Sequence, residues 1–103
     1  MSELDDEIKF EHDLERQSFE AVLKKKRAIL EYRSNKEGKI FLTSVEIPFK
    51  LRETNIKEEL ILHVFNYIKE NGLRMIPTSP DIKDYLKEHP EYLSLVASGI
   101  RVV

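Results

Sequence analysis

The apolar residues of this chain change their period once, at Pro48, and that change limits what the chain can fold into. Before Pro48 the repeat is two residues, and after it the repeat is three to four. Ile8 and Phe10 alternate with polar neighbours, and Glu11 to Arg16 reads as a turn. Phe19, Ala21 and Leu23 give a second short strand, and Ala28 to Arg33 resumes the extended pattern after the basic run Lys24 to Arg27. Ser34 to Lys39 is a turn, with Gly38 able to take positive φ. Ile40 to Ile47 is the longest β-prone run, and Pro48 stops it. Four strands joined by short turns predict an antiparallel meander.

The second half reads differently. Ile56, Leu60, Ile61, Val64, Phe65 and Ile68 fall on one helical stripe. Asn55 is placed as N-cap, with Glu58 completing a capping box, and Asn71-Gly72 is a stop. Leu73 to Pro77 reads as a short buried strand. A second helix is expected from Pro80 or Asp81, presenting Ile82, Tyr85 and Leu86 and ending at Pro90. Tyr92, Leu93, Leu95 and Val96 form a shorter apolar segment, and Ile100, Val102 and Val103 are read as a last extended piece. The fold class is therefore α+β: a mixed, mainly antiparallel sheet of about five strands with two helices, in the order ββββαβα.

Charge and composition exclude several functions. Residues 1–7 are acidic and aperiodic and are read as a disordered tail, with one domain over 8–103. The net charge of −2 argues against nucleic-acid coating, which needs excess Lys and Arg. No apolar run approaches the ~18–20 residues needed to span a bilayer, and the acidic start is unlike a signal peptide, so a cytoplasmic monomer or weak dimer is expected. The absence of cysteine excludes a thiol nucleophile and a Cys-ligated metal. His12, His63 and His89 have no ligand spacing, so no metal site is assigned.

The order of elements, with Pro48 and Arg52 before the helix, Gly72-Leu73-Arg74-Met75-Ile76-Pro77-Thr78-Ser79 after it and His89-Pro90-Glu91-Tyr92 beyond, resembles small single-domain GNAT N-acetyltransferases. The resemblance covers roughly residues 8–98. It implies acetyl-CoA as cofactor and an amine as acceptor. In that family the stretch after the long strand is Arg-Gly-x-Gly-Ile/Leu-Ala, whose backbone amides approach the pyrophosphate at a helix N-terminus. Here the matching residues are Arg52, Glu53, Thr54, Asn55, Ile56 and Lys57, so both glycines are replaced by residues with side chains. Glu53, Glu58 and Glu59 offset Lys50, Arg52 and Lys57, so local charge is zero where a pyrophosphate prefers positive.

Two further positions of the family pattern depart in the same direction. The family's Cys after the short strand is Ser79 here, a far weaker nucleophile that could hydrogen-bond a thioester or leaving thiol but reads better as the N-cap of the helix before Pro80. The family's His near the end of the long strand is Ser44, with Glu46 nearby as a candidate general base. Two function classes follow: an acetyl-CoA-dependent N-acetyltransferase with a weakened cofactor loop, or a non-catalytic binding or regulatory module of the same fold. The basic run at Lys24 to Arg27 reads as a solvated hairpin turn; Phe65, Tyr85 and Tyr92 could line a ligand cleft, but their helical spacings read more simply as core.

Overall fold

A computed structural model describes residues 7–100. Four strands form the meander: β1 (Lys9–Asp13), β2 (Ser18–Leu23), β3 (Lys26–Ser34) and β4 (Lys39–Glu46). A 3-10 turn, Phe49–Leu51, leads to α1 (Ile56–Glu70), and the chain returns through β5 (Arg74–Pro77) into α2 (Pro80–Glu88). A second 3-10 segment, Pro90–Leu95, follows. The sheet order is β1-β2-β3-β4-β5, antiparallel throughout except for the parallel β4–β5 pair that α1 bridges. The expected ββββαβα order is therefore the observed one.

Both periodicities point at one core. Phe19, Ala21, Ala28, Leu30, Ile40, Leu42 and Met75 line one face of the sheet and are essentially inaccessible. Against them lie Ile56, Leu60, Ile61, Val64, Phe65 and Ile68, the whole stripe read from α1, all fully buried. Burial of each such side chain is worth about 1.5–3 kcal/mol, so this single helix face supplies much of the core. Ile82 and Leu86 of α2 and Leu51 of the connecting turn close the layer.

Several local expectations need correction. The turn expected over 11–16 is partly strand: β1 runs on to Asp13, because His12 pairs with Phe19 and Arg27 of β3 takes the Glu11 and Glu20 carboxylates. Cross-strand partners thus override a polar sequence. The basic run is not all turn. Only Lys24 and Lys25 form the two-residue loop, both with positive φ (51° and 66°), whereas Lys26 and Arg27 belong to β3. At α1, Asn55 makes no capping bond; the oxygen comes from Thr54, whose Oγ1 accepts the Ile56 amide at 3.3 Å and donates to the Leu51 carbonyl at 2.6 Å. The stop at Asn71-Gly72 forms as expected. Gly72 at φ 64° lets the Leu73 amide reach the Ile68 carbonyl (3.0 Å) and its own amide reach that of Lys69 (3.3 Å), which is a Schellman motif.

The tail segment Tyr92 to Val96 contributes mostly 3-10 helix rather than strand, with Val96 making one bridge to Met75. Ile100 is in no strand, and Val102 and Val103 lie outside the described residues, as does nearly all of the acidic tail. No described helix is long and apolar enough to cross a membrane.

Candidate functional site: the cleft where β4 and β5 part

The parallel pair ends at Leu42 and Pro77. One carbonyl fixes that point: the Leu42 oxygen accepts from the Thr78 amide (3.1 Å), the Ser79 amide (3.0 Å) and the Thr78 hydroxyl (3.0 Å). β5 turns there into α2, but β4 continues to Glu46 with no strand beside it on that edge among the described residues. Within this stretch Tyr32 pairs with Leu42 while Glu31 pairs with Ser44, so Thr43 is an extra residue, a β-bulge. Because of the bulge, Val45 joins Leu42 on the helix-bearing face; Val45 and Ile47 pack against the edge of the core.

The result is a cleft of about 350 Å³ lined by Val45, Ile47, Arg52, Lys57 and Asp81. Its floor is apolar. Its rim is built from the first turns of α1 and α2, whose unpaired amides carry partial positive charge. Among the described residues, the amides of Glu53, Asn55, Lys57 and Glu58 donate to no protein acceptor. Glu53 and Asn55 have ordinary negative φ, with Asn55 at −90°, so their backbone is unstrained. Their side chains are exposed and add bulk and one carboxylate beside those amides.

Cations at the rim are partly committed. The Lys57 Nζ donates to Asp81 Oδ1 at 2.7 Å, tying the two helix N-termini together across the cleft. Arg52 lies 5.6 Å from the centroid of the exposed Phe49 ring. Lys57 and Asp81 also belong to an adjoining cavity of about 380 Å³, whose other walls are Glu58, Asp84, Tyr85, Glu88 and His89. That cavity is acidic. Burial raises the Tyr85 phenol above its ordinary pKa, with Tyr92 and then Glu58 adding to the effect, so the phenol keeps its proton. The Tyr85 ring stacks on His89 at 4.3 Å.

The predicted site residues separate into two groups. Arg52, Glu53, Thr54, Asn55, Ile56 and Lys57 do surround the start of α1, although Ile56 is fully buried and Thr54 serves the cap. Ser79 sits where β5 turns into α2, 1% exposed, and its Oγ has no hydrogen-bond partner. It occupies the N-cap position without making the cap bond. Glu46 stands apart: it is exposed and pairs with Ile29, so strand alternation turns it away from the face that carries Val45 and Ile47. Ser44 bonds the Glu31 carboxylate at 2.9 Å. The sequence does not mark Val45, Ile47 and Asp81 as cleft residues. It offers Tyr85 as a cleft-lining or core residue and favours core, and the structure places it on the wall of the adjoining cavity. The bulge at Thr43 has no sequence signature, and the Lys57–Asp81 pair joins residues far apart in the chain.

The architecture is that of a two-layer α+β protein with a cleft where its two parallel strands part. The family model for GCN5-related N-acetyl-transferases matches residues 18–95, from the start of β2 to the end of the last 3-10 segment. The chain belongs to that family. Among curated proteins none matches the chain significantly.

Proposed function

We propose that this chain binds acetyl-CoA weakly in the β4–β5 cleft and passes the acetyl group directly to an amine. The observation that carries this reading is the parting of β4 from β5 beside the α1 N-terminus, in a member of an N-acetyltransferase family. The residues present fit the cofactor in kind. Unengaged amides from Glu53 to Glu58 suit a diphosphate, the open β4 edge suits an amide-bearing arm, and Val45 and Ile47 suit its methylenes. The fit is poor in charge, because Glu53, Glu58 and Glu59 crowd the start of α1 and Asp81 already occupies Lys57.

Acetyl-CoA, when bound, supplies the activated acyl group and a good leaving thiol. The protein supplies position and field. Two helix N-termini hold the anionic end, and the apolar strand wall excludes water from the acyl end. The acidic wall formed by Glu58, Asp81, Asp84 and Glu88 attracts an amine in its cationic form. That nitrogen loses a proton to solvent before its lone pair attacks. The N–C bond would form as the C–S bond breaks, and the leaving thiolate would take up the second proton released from nitrogen. The protonated Tyr85 phenol is a hydrogen-bond donor on that wall. With no thiol and with the Ser79 hydroxyl enclosed, transfer has no covalent enzyme intermediate.

A second reading is a module of this fold that has given up the cofactor. The Lys57–Asp81 pair favours it, since the pair neutralises a rim cation. Calorimetric titration with acetyl-CoA separates the two. The first reading predicts a Kd of about 0.1–1 mM, and a several-fold gain for Glu53→Gly with Asn55→Gly. Absence of heat in both proteins at millimolar ligand selects the second reading.

A further inference from the structure

On the far side of α1 from the cleft, two histidines hold the edge strand β1 against the rest of the molecule. Phe10, Glu11 and Lys9 of β1 are exposed, and the strand pairs only with β2 among the described residues. Its attachment to α1 runs through stacked rings. Phe10 lies on His63 of α1 with centroids 4.2 Å apart and planes within 4°. His12 lies on Phe19, which is fully buried, at 3.9 Å and 15°, and meets the edge of Tyr67 of α1 at 4.9 Å. The Tyr32 hydroxyl of β3 is 2.6 Å from His12 Nε2.

That last contact has a direction. Tyr32 is 4% exposed, and its hydroxyl has no other acceptor among the described residues. A neutral His12 can accept the phenol proton on Nε2, whereas an imidazolium can only donate there. Protonating His12 takes away the phenol's acceptor on Nε2 and places a charge among the Phe19, Tyr32 and Tyr67 rings. Protonating His63 places a second charge beside the first across the same ring cluster.

We propose that the His12–Tyr32 and His63–Phe10 contacts form a proton-operated catch on β1, which holds the strand at neutral pH and releases it in mild acid. The groups facing these imidazoles are few. Asp13 on β1 favours protonation of His12, and Glu70 on α1 favours protonation of His63. Burial holds the Tyr32 phenol of β3 above its ordinary pKa, α1 presents the Tyr67 ring, and β2 presents the Phe19 ring. Burial outweighs the carboxylates: desolvation, then His63, lowers the His12 pKa below 6.5, and desolvation lowers that of His63. A folded pKa below the unfolded one gives stability that is complete above the unfolded value and is lost as pH falls through the folded value. The catch therefore weakens from about pH 6.5 downward. An imidazolium over a Phe face recovers part of the loss as a cation–π contact, but it does nothing for the Tyr32 proton.

Amide hydrogen exchange on the intact chain at pH 7.5 and 5.5, corrected for intrinsic rates, tests the catch. Opening of β1 should increase at the lower pH by more than about threefold, bounded near ~100-fold because each histidine contributes at most about tenfold one unit below its ordinary pKa. The α1 core and β4 should not follow. His12→Gln with His63→Leu keeps an acceptor for Tyr32 without a titrating ring, and it should flatten the response. Imidazole titration by NMR should give both histidines apparent pKa values below 6.5. The proposal is overturned by unchanged β1 protection at pH 5.5, by equal loss across the whole sheet, by a pH response that survives the double substitution, or by both histidines titrating at or above 6.5.

Discussion

Two side chains at the cleft decide how well it can hold an anion. Lys57 was legible as a cation near the cofactor loop, but its partner Asp81 was not, because the 2.7 Å contact depends on the two helices ending side by side. The pair is partly exposed, so its own stability is small. Its effect on a ligand is larger, since it removes a charge where a diphosphate would lie. Asp81→Asn should tighten acetyl-CoA binding about threefold to tenfold at low salt, with the gain shrinking as salt rises. Calorimetry at two ionic strengths checks this; unchanged affinity at both would show that Lys57 does not face the ligand. Ser79 gives a complementary prediction. Sequence reasoning offered it as nucleophile or helix cap, and the structure encloses its hydroxyl with neither an outlet nor a partner. Ser79→Ala should therefore be neutral or stabilising by up to about 1 kcal/mol in chemical denaturation. A loss beyond that would mean the hydroxyl is bonded after all.

At the level of elements, the period change at Pro48 carried the reading, because it reports which face of each element is buried. Every residue of the α1 stripe is in the core, and Leu60→Ala should cost about 2–5 kcal/mol in a denaturation experiment. Element ends were less legible, for two physical reasons. Polar residues in β1 are held by partners on other strands, as Arg27 holds Glu11, and such pairing cannot be seen locally. The hairpin between β2 and β3 uses Lys24 and Lys25 at positive φ, where Asn-Gly would be the usual choice. Their backbone geometry costs stability that a better turn restores. Replacing the pair by Asn-Gly should raise the melting temperature, with a gain of about 0.5–2 kcal/mol. A fall would indicate that the lysines make compensating contacts.

For the molecule as a whole, fold and chemistry separate. The two-layer α+β architecture and the family follow from patterns spread over most of the chain, so they do not depend on any single position of the cleft. The cleft was only half legible. Its loop was visible as Arg52 to Lys57, but its wall was not, because Val45 reaches the helix face only through the bulge at Thr43. What the arrangement offers is an apolar wall, two helix N-termini and an acidic neighbour, with the rim cation Lys57 already paired to Asp81. The central claim is that acetyl-CoA lies in this cleft. Backbone amide shift mapping during an acetyl-CoA titration tests it directly. Shifts saturating in the submillimolar range are predicted at Val45 to Ile47, Glu53 to Glu58 and Ser79 to Asp81, with β1 unmoved. No shift at millimolar ligand, or shifts confined to other surfaces, would contradict it.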